Sequence, residues 1–327
     1  MDKKTIKINF TDTEKGYFNN DNNIFLDVLK EHYNVEISDK PDFLFYSCFG
    51  DNYKNYSNCV KIFFTNENFV PDFNEADYGL GFHNLQFEDR YLRFPEYFYK
   101  LPASVQNRSN LSEELANRNF CNFIYSNSKN GEGAPLRIEF CKKLQEYKHV
   151  DCPGKVLHNI DINFAPRSGN WADSKIELLH NYKFTIAFEN RFTNGYTTEK
   201  LYQPLIANSI PIYMGNPDVT KDFNPKAFIN CNDYKNFDEV IEVVKELDNN
   251  NEKYMEMLRQ PAMQADFDFD YKKKITEYLI HIIEKGNTPY VRQRNGFVRF
   301  VEKNFMPIKN KGMHKVLHIL GLHIKVG

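Results

Sequence analysis

The sequence contains no long apolar run. None of its segments approaches the roughly 18 consecutive apolar residues that a membrane-spanning helix requires, and its first residues, MDKKTIKINF, lead directly into a predicted strand. We therefore expect neither a signal peptide nor a membrane anchor. Disulfide patterning is absent as well, because the six cysteines include no Cys-x-x-Cys pair. Reduced thiols and a cytoplasmic location are the expectations that follow.

A strong net charge is also missing. The formal net charge of the 327 residues is −2, and we expect no nucleic-acid partner. The distribution is uneven, because residues 286–327 contain eight Lys or Arg against one Glu, a net charge of +7. Basic and apolar residues alternate there, with a near-helical spacing of Val316, Leu317, Leu320 and Ile324. The pattern predicts a basic amphipathic tail that either contacts an anionic membrane surface or packs on the amino half of the chain.

Strand and helix patterns alternate along most of the chain, which is typical of α/β proteins. Four apolar runs in the first 95 residues predict a parallel sheet. A polar segment near residues 98–118 has the composition of a linker or of a loosely packed helix, and a second series of strands and helices follows it. We predict two Rossmann-like domains and a tail, at residues 1–116, 117–285 and 286–327.

Residues 182–228 carry the most informative pattern. Apolar runs near both ends of this segment indicate buried strands, with a helical periodicity between them. In such a unit, ligands bind beyond the carboxyl ends of the strands. Thr197 or Thr198 is predicted to cap the helix, which places Glu199 and Lys200 in its first turn. The helix dipole and the lysine would both favour a phosphate there, so the unit indicates an anionic small-molecule ligand.

Residues 187–228, AFENRFTNGYTTEKLYQPLIANSIPIYMGNPDVTKDFNPKAF, resemble the signature of the α-1,3/1,4-fucosyltransferases, particularly the bacterial ones. In that family FEN, a spaced Tyr-x-Thr-Glu-Lys and IPIY-x-G occur in this order. The resemblance continues upstream through residues 63–82, 90–95 and 126–137, and downstream to about residue 259. Several separated motifs in the same order make this resemblance specific.

The resemblance implies a GT-B fold, in which two Rossmann-like domains face a central cleft. The amino half would bind the acceptor and the carboxyl half GDP-fucose. It implies an inverting fucosyltransferase that moves L-fucose from GDP-fucose to the 3- or 4-hydroxyl of N-acetylglucosamine in a galactose-containing glycan such as LacNAc. The products would be Lewis-type surface glycans, as in lipopolysaccharide. GDP-fucose is then a substrate, and no cofactor is expected to be essential.

Positions that match the family's motifs supply the candidate site residues. The resemblance assigns the catalytic base to Glu67, which follows a predicted strand, although Asn66 stands where relatives usually have glycine. Arg137 and Lys200 are the two candidate cations for the departing diphosphate, because positioned positive charge stabilises it. The residues that match positions lining the donor pocket are Asn190, Tyr196 and Glu199.

These assignments have structural alternatives. A strand-end glutamate such as Glu67 is often a solvated loop residue, and Arg137 without the resemblance would be an exposed arginine in the first turn of a helix. Glu199 could act only through the helix dipole. Glu189 is a second carboxylate near the donor site, and we expect it to support the loop from behind. For the whole chain, the alternatives are a glycosyltransferase with another nucleotide sugar and a non-catalytic nucleotide- or glycan-binding protein.

One acidic run superficially resembles the metal-binding Asp-x-Asp motif of other glycosyltransferases. It is DFDFD, with Asp266, Asp268 and Asp270. The alternation with phenylalanine indicates one solvated face of a short amphipathic segment, and the run follows the nucleotide-binding unit rather than lying within it. We therefore predict structural roles for these acids and no metal site.

Overall fold

The computed structural model describes residues 3–16, 18–162, 171–290, 315–319 and 322–326. The described residues up to Pro289 belong to one compact unit, and the described residues after it belong to a second. Two parallel β-sheets make up the framework of the first unit.

The strands of the first sheet are β1 (Thr5–Thr11), β2 (Asn34–Ile37), β3 (Phe43–Tyr46), β4 (Val60–Phe64), β5 (Tyr78–Gly81) and β6 (Tyr91–Arg93). All pair in parallel, in the order β2-β1-β3-β4-β5-β6. Every side chain of β3 is buried, which explains its uninterrupted apolar run. The strand order reverses between β1 and β3, and the carboxyl ends of two such strands form a switch point where α/β sheets bind ligands.

The strands of the second sheet are β7 (Asn119–Asn122), β8 (Val150–Asp151), β9 (Tyr182–Phe188), β10 (Ile210–Met214) and β11 (Ile229–Asn230). They are also parallel, in the order β11-β10-β9-β7-β8. The central strand β9 is buried along its whole length, and its Lys183 ammonium lies 2.9 Å from the buried carboxylate of Asp248. The two sheets confirm the predicted α/β class with two Rossmann-like halves.

The helices of this unit are α1 (Ile24–His32), α2 (Tyr97–Lys100), α3 (Gly133–Gln145), α4 (Trp171–Leu179), α5 (Glu199–Ile206), α6 (Phe237–Asn249), α7 (Asn251–Leu258) and α8 (Tyr271–Glu284). Helix α8 follows the second sheet along the chain, yet it packs against the first. Its Tyr278 hydroxyl donates one hydrogen bond that is shared between the carbonyl oxygens of Gly79 at 3.2 Å and Arg90 at 2.7 Å. The chain therefore returns to the first sheet before residue 285.

A largely buried ion pair joins the two halves of the first unit. Arg93, at the end of β6, donates two hydrogen bonds to the carboxylate of Asp222, which follows β10, at 2.6 and 3.2 Å. The Tyr97 hydroxyl donates to the same carboxylate at 2.7 Å. Burial lowers the pKa of Arg93, but Tyr97 and Asp222 outweigh this effect and hold that pKa above its usual range.

The second unit contains an antiparallel pair of strands, β12 (Lys315–Ile319) and β13 (Leu322–Val326), with Leu317 opposite Ile324. Val316, Leu317 and Ile324 therefore lie in strands and not in the helix that their spacing indicated, whereas Leu320 lies outside the described residues. Periodicity cannot distinguish a helix from a strand in runs this short, and β-branched residues favour the strand. Residues 291–314, with six of the eight basic residues of the tail, lie outside the described residues. Within the described ranges, none of the helices has the length and hydrophobicity needed to span a bilayer.

Replacing Arg93 with methionine tests the ion pair. The substitution leaves the Asp222 carboxylate without its cation in a poorly solvated place, so the free energy of unfolding should fall by about 3 kcal/mol. Urea denaturation followed by circular dichroism measures this. Lys54→Met is the matched control, because the Lys54–Asp51 pair is exposed and its loss should cost less than about 1 kcal/mol. Equal losses in the two variants would contradict the structural role of Arg93.

Candidate functional site

Loops at the carboxyl ends of the two sheets contact each other. The Asn68 side chain, after β4, donates a hydrogen bond to the Thr193 hydroxyl, after β9, at 2.8 Å. Phe82 follows β5, and its carbonyl oxygen lies close to Gly195. A Cβ added to Gly195 would lie only 2.5 Å from this oxygen, and the φ of Gly195 is +86°. Only glycine fits such a position. We call residues 65–68 and 189–200 the inter-sheet site.

A buried carboxylate fixes the start of α5. Glu189 is fully buried and accepts hydrogen bonds from the backbone N–H and the hydroxyl of Thr198, both at 2.7 Å. The Thr198 hydroxyl in turn caps the helix by accepting from the Lys200 N–H at 3.4 Å. Burial raises the pKa of Glu189, although Lys200 and Thr198 act in the opposite direction. Glu189 thus supports the loop from behind, and Thr198 is the cap.

The charged residues in the first turn of α5 stabilise each other. The Lys200 ammonium lies 3.2 Å from Glu199 Oε1 and 3.5 Å from Glu189 Oε2. Burial lowers the pKa of Lys200, but these carboxylates hold it well above its ordinary value. For the acid Glu199, burial raises the pKa. The Lys200 and Lys175 ammonium groups outweigh this effect and lower the pKa of Glu199 to about 2. The Lys200 side chain is 14% exposed, so part of it still contacts solvent.

Arg137 lies deeper in the protein than the sequence indicated. It is the fifth residue of α3 and only 1% exposed, so the alternative of an exposed first-turn arginine is wrong. Its guanidinium donates to Asn190 Oδ1 at 2.8 Å and to the carbonyl oxygen of Asn127, and it lies 4.0 Å from the centre of the Tyr125 ring. Burial lowers the pKa of Arg137. The Arg137 Nε has no partner among the described residues. The role of Arg137 at a diphosphate stays a prediction.

Tyr196 forms a wall of the inter-sheet site. It is almost fully buried, and its ring centre lies 4.7 Å from that of Phe82, which belongs to the first half. Burial raises the pKa of Tyr196, and the nearby charge of Glu189 adds to this effect. The structure therefore brings Tyr196, Glu199 and Lys200 together, with the Arg137–Asn190 pair behind them. Their roles in donor binding stay predictions.

Glu67 approaches the inter-sheet site from the first sheet, in the bend after β4, and its side chain is exposed. Asn66 donates a hydrogen bond to the Tyr99 hydroxyl at 3.0 Å, and Asn68 is bound to Thr193. Two anchored asparagines thus flank Glu67, and the Asn66 side chain supplies a contact that glycine would lack. The catalytic role of Glu67 stays a prediction.

Two ionisable residues beside α5 were not predicted from the sequence. Lys175 on α4 is buried, and burial lowers its pKa while Glu199 acts in the opposite direction. Glu96, just before α2, faces Glu199 and Tyr202, and burial together with Glu199 raises the pKa of Glu96 to about 7. Lys175 lies four residues before the buried Leu179, a spacing that places a cation on the buried face of a helix. No comparable signal marks Glu96.

Two of the three aspartates in the DFDFD run have structural partners. Asp270 caps α8 by accepting a hydrogen bond from the Lys273 N–H at 3.0 Å, and Asp268 lies 3.1 Å from the Lys274 ammonium. In the part of the chain that the structure describes, no group of three or more His, Cys, Asp or Glu side chains could hold a metal ion. These two acids therefore serve α8 rather than the inter-sheet site.

Comparison with known families gives two matches. The model of the N-terminal domain of alpha-(1,3)-fucosyltransferase FucT matches residues 8–100, and that of the C-terminal part of glycosyltransferase family 10 (fucosyltransferase) matches residues 115–260. Among curated proteins, the chain is 32% identical over 284 residues to alpha-(1,3)-fucosyltransferase FucT of Helicobacter pylori, covering 75% of this chain and 57% of the relative. It is 38% identical over 157 residues to putative fucosyltransferase R654 of Acanthamoeba polyphaga mimivirus, covering 46% and 25%. The chain thus spans about half, or less, of the length of these relatives.

Two solved structures are similar over nearly their whole length. One is an alpha1,3-fucosyltransferase with GDP, at 28% identity and a TM-score of 0.70, covering 89% of this chain and 94% of the other. The second is an alpha1,3-fucosyltransferase with GDP-fucose, at 26% identity and a TM-score of 0.69, covering 90% and 94%. This similarity, with the two parallel sheets, confirms the predicted GT-B type of α/β fold.

The lowered pKa of Glu199 predicts a pH dependence of stability. Its pKa is about 2 in the fold against an ordinary value of 4.5, so the ionised carboxylate stabilises the protein above that value, and the contribution is lost as pH falls toward 2. Between about pH 5 and about pH 3, the melting temperature of Glu199→Gln should therefore fall less than that of the wild type. Scanning calorimetry measures this, with Glu177→Gln, an exposed residue of α4, as the control. A Glu199→Gln variant with the wild-type pH profile would contradict the assignment.

Proposed function

Since this chain belongs to glycosyltransferase family 10, the fucosyltransferases, we propose that it is an inverting fucosyltransferase with GDP-fucose as its donor. The observation that carries the proposal is the first turn of α5, where a charged and partly exposed lysine lies at the carboxyl end of the central strand of the second sheet. The relatives solved with GDP and with GDP-fucose support this choice of donor.

The first turn of α5 suits the diphosphate of the donor. The positive end of the helix dipole attracts phosphate oxygens, and Lys200 adds a full charge. Arg137 adds a second positive charge behind Asn190. Glu199, ionised at neutral pH, accepts hydrogen bonds from hydroxyl groups of the donor. Such positioned charge is commonly the largest catalytic contribution, because it stabilises the leaving GDP as its negative charge develops.

Glu67 is the general base of the proposed reaction. The acceptor hydroxyl oxygen bonds to the anomeric carbon of fucose while the bond from that carbon to the diphosphate oxygen breaks, and its electron pair leaves with GDP. The hydroxyl proton passes to the Glu67 carboxylate. A single displacement of this kind inverts the configuration at the anomeric carbon, through a transition state that resembles an oxocarbenium ion. The exposure of Glu67 lets an acceptor approach it.

A pocket of about 800 Å³ at the switch point of the first sheet is the proposed acceptor site. It lies at the carboxyl ends of β1 and β3, and its lining combines aromatic rings, among them Phe18 and the exposed Phe49, with polar side chains such as Thr13 and Asn52. This mixture suits a sugar, and the volume lies in the range of small-ligand sites. The acceptor proposed for it is LacNAc or a related glycan, with transfer to the 3- or 4-hydroxyl of N-acetylglucosamine to give Lewis-type products.

Nucleotide selectivity tests the proposed donor. At about a hundredfold excess over its dissociation constant, GDP should stabilise the fold by about 2.7 kcal/mol, which raises the melting temperature by several degrees. UDP and ADP at the same concentrations should cause little change, and the protein should transfer fucose from GDP-fucose to LacNAc. Equal shifts with all three nucleotides would favour another nucleotide sugar, and a GDP shift without transfer to any glycan would favour a non-catalytic binding protein.

Glu67→Gln is the matched variant for this experiment. The amide keeps the shape of the side chain but cannot take a proton, so transfer should fall by about 10² to 10⁴ while the GDP-induced shift in melting temperature stays unchanged. Turnover at the wild-type rate would exclude Glu67 as the base.

We also propose that the protein is cytoplasmic and contacts the inner face of the membrane through residues 286–327. The net charge of +7 of this tail supports the proposal, since each basic residue near an anionic surface contributes on the order of 1 kcal/mol. The full chain should float with liposomes that contain anionic lipid, and a chain truncated at Pro289 should not. Flotation of neither protein would exclude membrane contact, and packing of the tail on the amino half would then be favoured.

A further inference from the structure

Lys175 is a buried lysine without a direct ion pair. It is the fifth residue of α4 and only 8% exposed, on the face of the helix that also buries Leu179. Among the described residues, no hydrogen bond and no ion pair reaches its ammonium group. Burial of a charge costs free energy, and lysine is rarely buried unless it is paired. The position of Lys175 therefore requires an explanation beyond packing.

A small cavity joins Lys175 to the start of the donor helix. Lys175 and Lys200 both line it, together with Asn122 and Tyr125, where α4 and α5 pack on the second sheet. The Tyr125 ring also lies against the guanidinium of Arg137, 4.0 Å from the ring centre. Three cations thus lie in or next to this cavity.

The other polar groups nearby do not offset the burial of Lys175. Asn122 is fully buried, and its Oδ1 has no partner among the described residues, but an amide dipole balances only part of a full charge. Glu199 and Glu189 are the carboxylates that attract Lys175, and both are already paired with Lys200. Burial therefore dominates and lowers the pKa of Lys175.

We propose that Lys175 is the third cation of the donor site, and that its charge acts on the diphosphate beside Lys200 through the interior of the protein. This inference rests on the proposed function. The cavity that the two lysines share has a volume of about 10 Å³, too small for a phosphate group, so Lys175 acts without touching the donor. It is a positioning residue whose charge holds the diphosphate at α5.

Two features make a distant charge effective here. In poorly solvated surroundings a charge acts over distances at which water would screen it. Lys175 is also not bound by a carboxylate of its own, so its field is not cancelled locally. Without it, the carboxylates of the site would outnumber the remaining cations, and a diphosphate would be repelled.

The stability of the free protein is the first test. Lys175→Met keeps the apolar stem and removes a buried charge without breaking an ion pair, so the melting temperature should rise by a few degrees. Lys183→Met is the matched control. The Lys183 side chain is 5% exposed, but its ammonium lies 2.9 Å from Asp248, and loss of this pair should lower the melting temperature. A less stable or unfolded Lys175→Met variant would show a structural role and overturn the inference.

Calorimetric titration with GDP and with GMP is the second test. GDP carries one phosphate more than GMP, so Lys175→Met should weaken the binding of GDP by about tenfold or more and that of GMP by a smaller factor. Lys183→Met should bind both nucleotides as the wild type does. In transfer from GDP-fucose to LacNAc, kcat of Lys175→Met should also fall, because negative charge on the leaving diphosphate grows in the transition state. The KM for LacNAc should stay unchanged.

The outcomes separate this inference from the proposed function. A Lys175→Met variant that binds GDP as tightly as the wild type overturns the role of Lys175 alone. Equal factors of loss for GDP and GMP do so as well, because they would indicate a general distortion of the site. A wild-type protein that binds neither nucleotide overturns the proposed donor and this inference together.

Discussion

The buried carboxylate of Glu189 is the constraint on which the rest of the site depends. A carboxylate with no access to water must have its oxygens bound by protein groups, because the cost of leaving it unpaired is large. Thr198 provides its backbone N–H and its hydroxyl, and Lys200 provides the balancing charge. Close packing completes the arrangement, since a Cβ on Gly215 would lie only 2.5 Å from Glu189 Cγ. The first turn of α5 is therefore fixed from behind before any ligand contacts its front.

The two sides of the inter-sheet site are built on different physical principles. On the second sheet, charged groups are buried and hold one another, which gives strong fields and little freedom to reorganise. On the first sheet, Glu67 is exposed, and the neutral side chains of Asn66 and Asn68 anchor its loop. Such a division suits displacement chemistry. The leaving diphosphate needs fixed positive charge in a poorly solvated place, whereas the base must stay open to an acceptor that arrives from solvent.

Sequence patterns predicted what depends on neighbours along the chain. The Thr198 cap and the support of the loop by Glu189 arise from contacts within about ten residues, and the uninterrupted apolar run of β9 marks a buried strand by itself, so local rules were sufficient. The burial of Arg137 was not predictable in this way, because it results from packing against Tyr125 and Asn190. The strands β12 and β13 were misjudged because two five-residue runs do not define a period. Glu96 escaped notice because its surroundings come from both halves of the unit.

The charges of the site limit how it can respond to an incoming diphosphate. Three cations, Arg137, Lys175 and Lys200, lie near three carboxyl groups, those of Glu96, Glu189 and Glu199. With all six ionised, the group is neutral, and an incoming diphosphate leaves it with an excess of negative charge. Glu189 and Glu199 are bound to Thr198 and Lys200 and cannot relieve this excess without disrupting α5.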